Sequence, residues 1–128
     1  MHQYYLHYYI KFAIIFLMRW VVKVHPKAVA EIHDLPVEMR AKLTRLLDFM
    51  KCSGPQQLRE PHVKSLGNKL WEIRLTGKDG IARILYVTFA NKQLALLHAF
   101  IKKTQKTPTI ALERAMRRLK EMPDEYVG

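Results

Sequence analysis

The sequence predicts an α+β fold: an N-terminal helical hairpin packed on a twisted, mainly antiparallel sheet of four to five strands, closed by a C-terminal helix. Three observations carry this. Two short helix-like stretches come early, each opened by a proline. Four strand-like runs then follow one another, joined by short turns rich in Gly, Asn and Asp. A last apolar stripe at helical spacing ends the pattern. Helices and strands that segregate along the chain, rather than alternate, mark α+β architecture.

Residues 1–17 are rich in tyrosine and apolar side chains. They carry no Lys or Arg before Lys11, and no small-residue cleavage site follows, so they do not read as a signal peptide. Phe12–Met18 is too short to span a bilayer, which takes about 20 apolar residues. Two readings stay open: an extra strand or helix on the domain, or a leader that arises from an upstream start, with Met18 as the natural beginning. The second is preferred, so residues 18–128 are expected to form a single domain.

Arg19–Val24 is β-branched and partly alternating, hence a strand. His25-Pro26 breaks it, and proline suits the first turn of a helix that runs to about His33. Pro36 opens a second helix in which Met39, Leu43, Leu46, Leu47 and Met50 form one stripe. Ser53-Gly54-Pro55 ends it, since glycine takes the cap and proline cannot continue the helix. Beyond a polar loop, His62–Leu66, Leu70–Leu75, Ile81–Phe89 and Gln93–Ile101 read as strands of an antiparallel meander. Gly67-Asn68, Gly77-Lys78-Asp79-Gly80 and Asn91-Lys92 supply the turns. Thr107-Pro108 is expected to open the last helix, with Thr107 as N-cap, and Leu112, Ala115, Met116, Leu119 and Met122 form its stripe. The helices are expected on one face of the sheet.

Composition bounds the function. The chain has 128 residues with 49% hydrophobic, enough for one packed core. Lys and Arg number 22 against 11 Asp and Glu, a net charge of +11 that favours a polyanionic partner. A single cysteine, Cys52, allows no internal disulfide and fits a reducing cytosol. No zinc spacing, phosphate-binding glycine loop, or Ser or Cys nucleophile motif appears, so no metal and no cofactor is expected.

What remains is a set of cations with one histidine on neighbouring strands. In Trp71-Glu72-Ile73-Arg74-Leu75, alternation puts Trp71, Ile73 and Leu75 on the core face, and Glu72 and Arg74 toward solvent or a cleft. Arg83 lies amid apolar neighbours, either snorkelling or ion-paired, with Glu72 one candidate partner, or binding an anion. His98 is the polar member of an otherwise apolar strand. It is either a structural hydrogen-bonding residue or an acid–base group, since its ordinary pKa suits either role near neutrality. Lys102, Lys103, Lys106, Arg114, Arg117, Arg118 and Lys120 cluster with one acid, Glu113, and suggest a phosphate-facing surface.

Cations and one acid–base group suffice for RNA cleavage without metal. The ribose 2′-OH attacks the adjacent phosphate as a base takes its proton, cations stabilise the transition-state charge, and an acid protonates the leaving 5′-oxygen. Arg74, Arg83, His98, Lys102 and Lys103 are the catalytic candidates, and Arg83 with the lysine pair is expected to hold the scissile phosphate. Glu72, Lys106, Arg117 and Arg118 are candidate substrate contacts. The general base is open between Glu72 and His98.

Three ordered blocks resemble a known family. Ser65–Arg74, Arg83–Tyr86 and Leu96–Pro108 are similar to segments of phage-derived HigB-like toxins of the RelE/ParE superfamily, and Ala115–Leu119 continues the likeness. The resemblance implies a RelE-like fold and a cytoplasmic type II toxin. It implies an endoribonuclease acting on mRNA at the translating ribosome, neutralised by a cognate antitoxin that often carries a helix-turn-helix domain. No membrane partner is implied. Family active-site positions fall on Arg74, Arg83, Lys102 and Lys103. Glu72 departs from the pattern of RelE proper, which has basic residues at alternate positions of this strand. The ParE branch poisons DNA gyrase instead, and a noncatalytic nucleic-acid-binding module is the third possibility.

Overall fold

A computed structural model describes residues 2–17, 19–102 and 106–123. The chain runs α1 (His2–Leu17), β1 (Val21–Val24), α2 (Pro26–His33), α3 (Val37–Ser53), a 3-10 turn at Pro55–Gln57, β2 (Val63–Gly67), β3 (Leu70–Gly77), β4 (Gly80–Phe89), β5 (Gln93–Lys102) and α4 (Thr109–Glu121). The expected α+β order is observed. The five strands form one sheet in the order β1-β5-β4-β3-β2. The pairs β2–β3, β3–β4 and β4–β5 are antiparallel, while β1 lies parallel to β5 at the edge.

The turns follow their chemistry. Asn68 and Lys69 both have positive φ in the two-residue β2–β3 loop, the geometry that matches strand twist. Gly80 has φ +124°, and a Cβ there would lie 3.1 Å from the Lys102 carbonyl oxygen, so glycine lets the β3–β4 turn close against the end of β5.

Apolar burial occurs on both faces of the sheet. Ile73, Leu75, Ile84, Leu94, Leu96 and Ala99 pack with Met39, Leu43 and Met50 of α3. Leu70, Leu85, Val87, Ala95 and Leu97 pack with Ala111, Ala115 and Met122. The expectation of helices on one face is therefore corrected. α4 has its own apolar stripe, and the strands present a second apolar row at the alternate positions. Strands buried on both faces read as near-continuous apolar runs, which is what β4 and β5 are.

The cap of α4 is also corrected. Pro108, extended at φ −64° and ψ 144°, is the residue before the helix. Thr107 is buried and turns its hydroxyl toward the sheet instead. α1 exposes Tyr5, Leu6, Tyr8, Tyr9, Ile10, Phe12 and Ile14. Its described residues belong to neither apolar cluster. Among the described residues no helix is long and apolar enough to cross a membrane.

Candidate functional site

The site lies on the sheet face that α4 covers. Arg74, Arg83 and Phe100 sit opposite one another across β3, β4 and β5, and Glu72, Leu85 and His98 form the next row. Lys102 is two residues beyond Phe100, hence on the same face, at the open end of β5.

His98 reaches this face through a bulge. Register slips between Leu85 and Tyr86 of β4, which pair with His98 and Leu96, so Leu97 is the extra residue. Simple alternation would place His98 with Leu94 and Leu96 under α2 and α3. The bulge turns it toward α4, as bulges near functional sites commonly re-aim a side chain.

Glu72 organises the first cluster. It was expected toward solvent or a cleft and is fully buried, because α4 and the segment before it cover this face. Arg74 Nε donates to Glu72 Oε2 at 2.8 Å. The Thr107 hydroxyl donates to Glu72 Oε1 at 2.5 Å and accepts from Arg83 Nη1 at 3.0 Å. Arg83 Nη1 is 3.7 Å from Glu72 Oε1. Arg83 is fully buried too, and burial lowers its pKa against the opposing pull of Glu72. The ion-paired reading of Arg83 is thus the arrangement observed. Arg74 is partly exposed, so in this cluster it is the cation that meets solvent.

The second cluster joins α2, β5 and α4. β1 pairs with β5 only as far as Leu96. Past that point Glu31 of α2 takes over the strand edge, and its Oε1 accepts from the Ala99 N–H at 3.1 Å. The same oxygen accepts from His98 Nδ1 at 2.9 Å and from Arg118 Nη1 at 2.7 Å. Arg118 Nη2 donates to Oε2 at 3.0 Å, completing a bidentate pair, and Nη1 also donates to the Leu97 carbonyl. Burial alone would raise the Glu31 pKa, but the donors from Arg118, His98 and Ala99 overcome it and lower it from 4.5 to about 2. An ionised Glu31 accepts a proton-bearing Nδ1, which leaves Nε2 as the lone-pair nitrogen. Burial is the largest influence on His98 and lowers its pKa, with Glu31 opposing and Arg118 and Arg114 assisting. The imidazole stacks on Phe100, ring centroids 4.9 Å apart.

Of the residues read from sequence, Glu72, Arg74, Arg83, His98 and Lys102 share one face. Lys102, Lys106 and Arg117 are exposed. Arg118 is buried against Glu31, not on the expected surface, because it falls in the α4 stripe with Ala111 and Ala115. Lys103 lies outside the described residues. Glu31 and Thr107 were missed as site residues. Glu31 sits three positions after buried Ala28, so helical spacing was its available signal. Among the described residues no group of three His, Cys, Asp or Glu is placed to hold a metal.

No curated protein gives a significant match to this chain. Among solved structures, an arginine-to-alanine double mutant of the E. coli toxin RelE in the free state matches with TM-score 0.59 and 18% identity, covering 80% of this chain and 99% of that one. A chain of the archaeal RelE–RelB complex from Pyrococcus horikoshii matches with TM-score 0.52 and 20% identity, over 70% of this chain and all of that one. The RelE-like fold expected from the sequence is therefore the fold observed. The family model for phage-derived Gp49-like proteins matches residues 30–120, and the chain belongs to that family.

Proposed function

We propose that this chain is the toxin of a type II toxin–antitoxin system. In this reading it is a metal-independent endoribonuclease that cuts mRNA on the translating ribosome in the cytoplasm, and a cognate antitoxin, with a helix-turn-helix domain, restrains it. One observation carries the enzymatic part: Arg74, Arg83 and Lys102 project from three neighbouring strands onto the face that also holds His98. The RelE fold and the RelE–RelB complex support the toxin and antitoxin parts.

The roles of Arg74, Lys102 and Arg83 follow from exposure. Arg74 and Lys102, with Lys103 next in the chain, contact the scissile phosphate. Buried Arg83 sits behind them and fixes Glu72, which in turn fixes the Arg74 guanidinium. Glu72 has both carboxylate oxygens engaged. His98 Nε2, its tautomer set by Glu31, is then the base that takes the 2′-OH proton. The 2′-oxygen bonds to phosphorus as the P–O5′ bond breaks, and the leaving 5′-oxygen takes a proton from water, giving a 2′,3′-cyclic phosphate and a 5′-OH. Lys106 and Arg117 steer the RNA backbone.

Pulse labelling after induced expression tests this. Protein synthesis should stop while DNA synthesis continues. Stalled replication with normal protein synthesis would instead favour a gyrase poison, and an effect on neither would favour a noncatalytic binding module.

A further inference from the structure

We infer that the groove between α3 and the free edge of β3 is a single-stranded RNA subsite that holds nucleotides flanking the scissile phosphate; this deepens the ribonuclease reading and rests on it. β2 pairs with β3 as far as Ile73, and the His62 carbonyl then accepts from the Arg74 N–H at 2.8 Å, so the sheet edge past the end of β2 begins at Leu75 and Thr76. There a groove of about 490 Å³ opens against α3. Lys42, Arg45, Leu46 and Phe49 line its helix side, spaced i, i+3, i+4 and i+7 on one face of α3. His62 and Arg74 line the other side.

The chemistry of the lining selects the occupant. It holds Lys42, Arg45, Arg74 and His62 and no carboxylate. Glu38 sits one turn earlier, 3.8 Å from the Lys42 ammonium, outside the groove. Lys42 also donates to the Thr76 carbonyl at 2.7 Å, which anchors the helix to the strand edge. Phe49 is a large apolar ring left 43% exposed among these cations. A cationic groove with an exposed aromatic platform is how single strands are held, phosphates on the charges and a base on the ring. Arg74 connects this groove to the site, because it lines the groove and its Nε donates to Glu72. A strand whose phosphate sits at Arg74 and Lys102 therefore continues round the sheet edge into the groove.

The test uses the purified full chain and a short single-stranded RNA, 2′-O-methylated throughout so that it binds without being cut. Fluorescence anisotropy reads its affinity across a salt series. Phe49→Ala should weaken binding roughly ten-fold, as loss of a stacking platform does. Arg45→Ala should lower the salt slope by about 0.7, the value for one phosphate contact on a single strand. Lys27→Ala, on exposed α2 surface, should change neither. Both groove residues are exposed, so thermal melts of the variants should match the parent. Folded variants that bind this RNA within two-fold of the parent, with the same salt slope, overturn the subsite. The outcome is separable from the activity, because the groove stands if these variants lose affinity even when the parent fails to cut ordinary RNA.

Discussion

Arg118→Ala should destabilise the protein strongly, whereas its neighbour Arg117→Ala should not. The variant removes two hydrogen bonds to the Glu31 carboxylate and one to the Leu97 carbonyl. Hydrogen bonds to charged groups contribute about 1.5–3 kcal/mol each when buried. The Glu31 side chain is 25% exposed, so water recovers part of that. The expected loss is then about 2–4 kcal/mol, a fall in Tm on the order of 10 °C for a domain of this size. The same network predicts acid sensitivity. Glu31 has a depressed folded pKa, so its contribution is present above 4.5 and lost as pH falls toward about 2. His98 is also lowered in the fold, so protonation favours the unfolded chain, and stability declines as pH drops below the ordinary histidine value of 6.5. Urea titrations at pH 7.5, 5.5 and 3.5 should show stability falling at both steps, and His98→Gln should remove the first. An Arg118→Ala protein that melts within a degree of the parent would show that the Glu31–Arg118 pair does not support the fold.

Three further outcomes follow. Arg74→Ala with Lys102→Ala should keep the fold, by circular dichroism, at lower stability because buried Glu72 loses a donor, and should lower the cleavage rate by about two to three orders of magnitude, as loss of transition-state donors does. Thr107→Val should cost about 1–3 kcal/mol in urea unfolding, because Glu72 loses a donor and Arg83 an acceptor inside a buried cluster. A chain beginning at Met18 should fold and arrest growth like the full one, since the described part of α1 packs in neither apolar cluster; insoluble protein would show that α1 belongs to the domain.

Much of the fold was legible because periodicity reports burial. The α3 stripe and the four sheet strands stood out as 3.6- and 2-residue patterns. The second covered face was less visible, because β4 and β5 are apolar at both alternations and one run cannot say which helix covers which side. The site was legible by residue type and not by role. Glu72 read as facing solvent or a cleft because the alternation rule assumes a second face that no helix covers. His98 changes face through a one-residue bulge at Leu97, which no spacing announces. Arg118 looked like part of a basic surface, yet it lies in register with Ala111 and Ala115 and meets a carboxylate 87 residues away in sequence. Arg83, expected to hold the scissile phosphate, is buried on Glu72, so Arg83→Ala should lose stability as well as activity.

The most direct test is to map the ends of one mRNA in a reconstituted translation reaction after adding the purified chain. Cuts are expected within the translated region, leaving a 5′-OH and a 2′,3′-cyclic phosphate. They should vanish when initiation is blocked, and they should be lost in the folded Arg74→Ala, Lys102→Ala protein. Intact mRNA at a protein concentration that arrests growth in cells, or cuts that persist undiminished in that variant, would contradict the proposed cleavage.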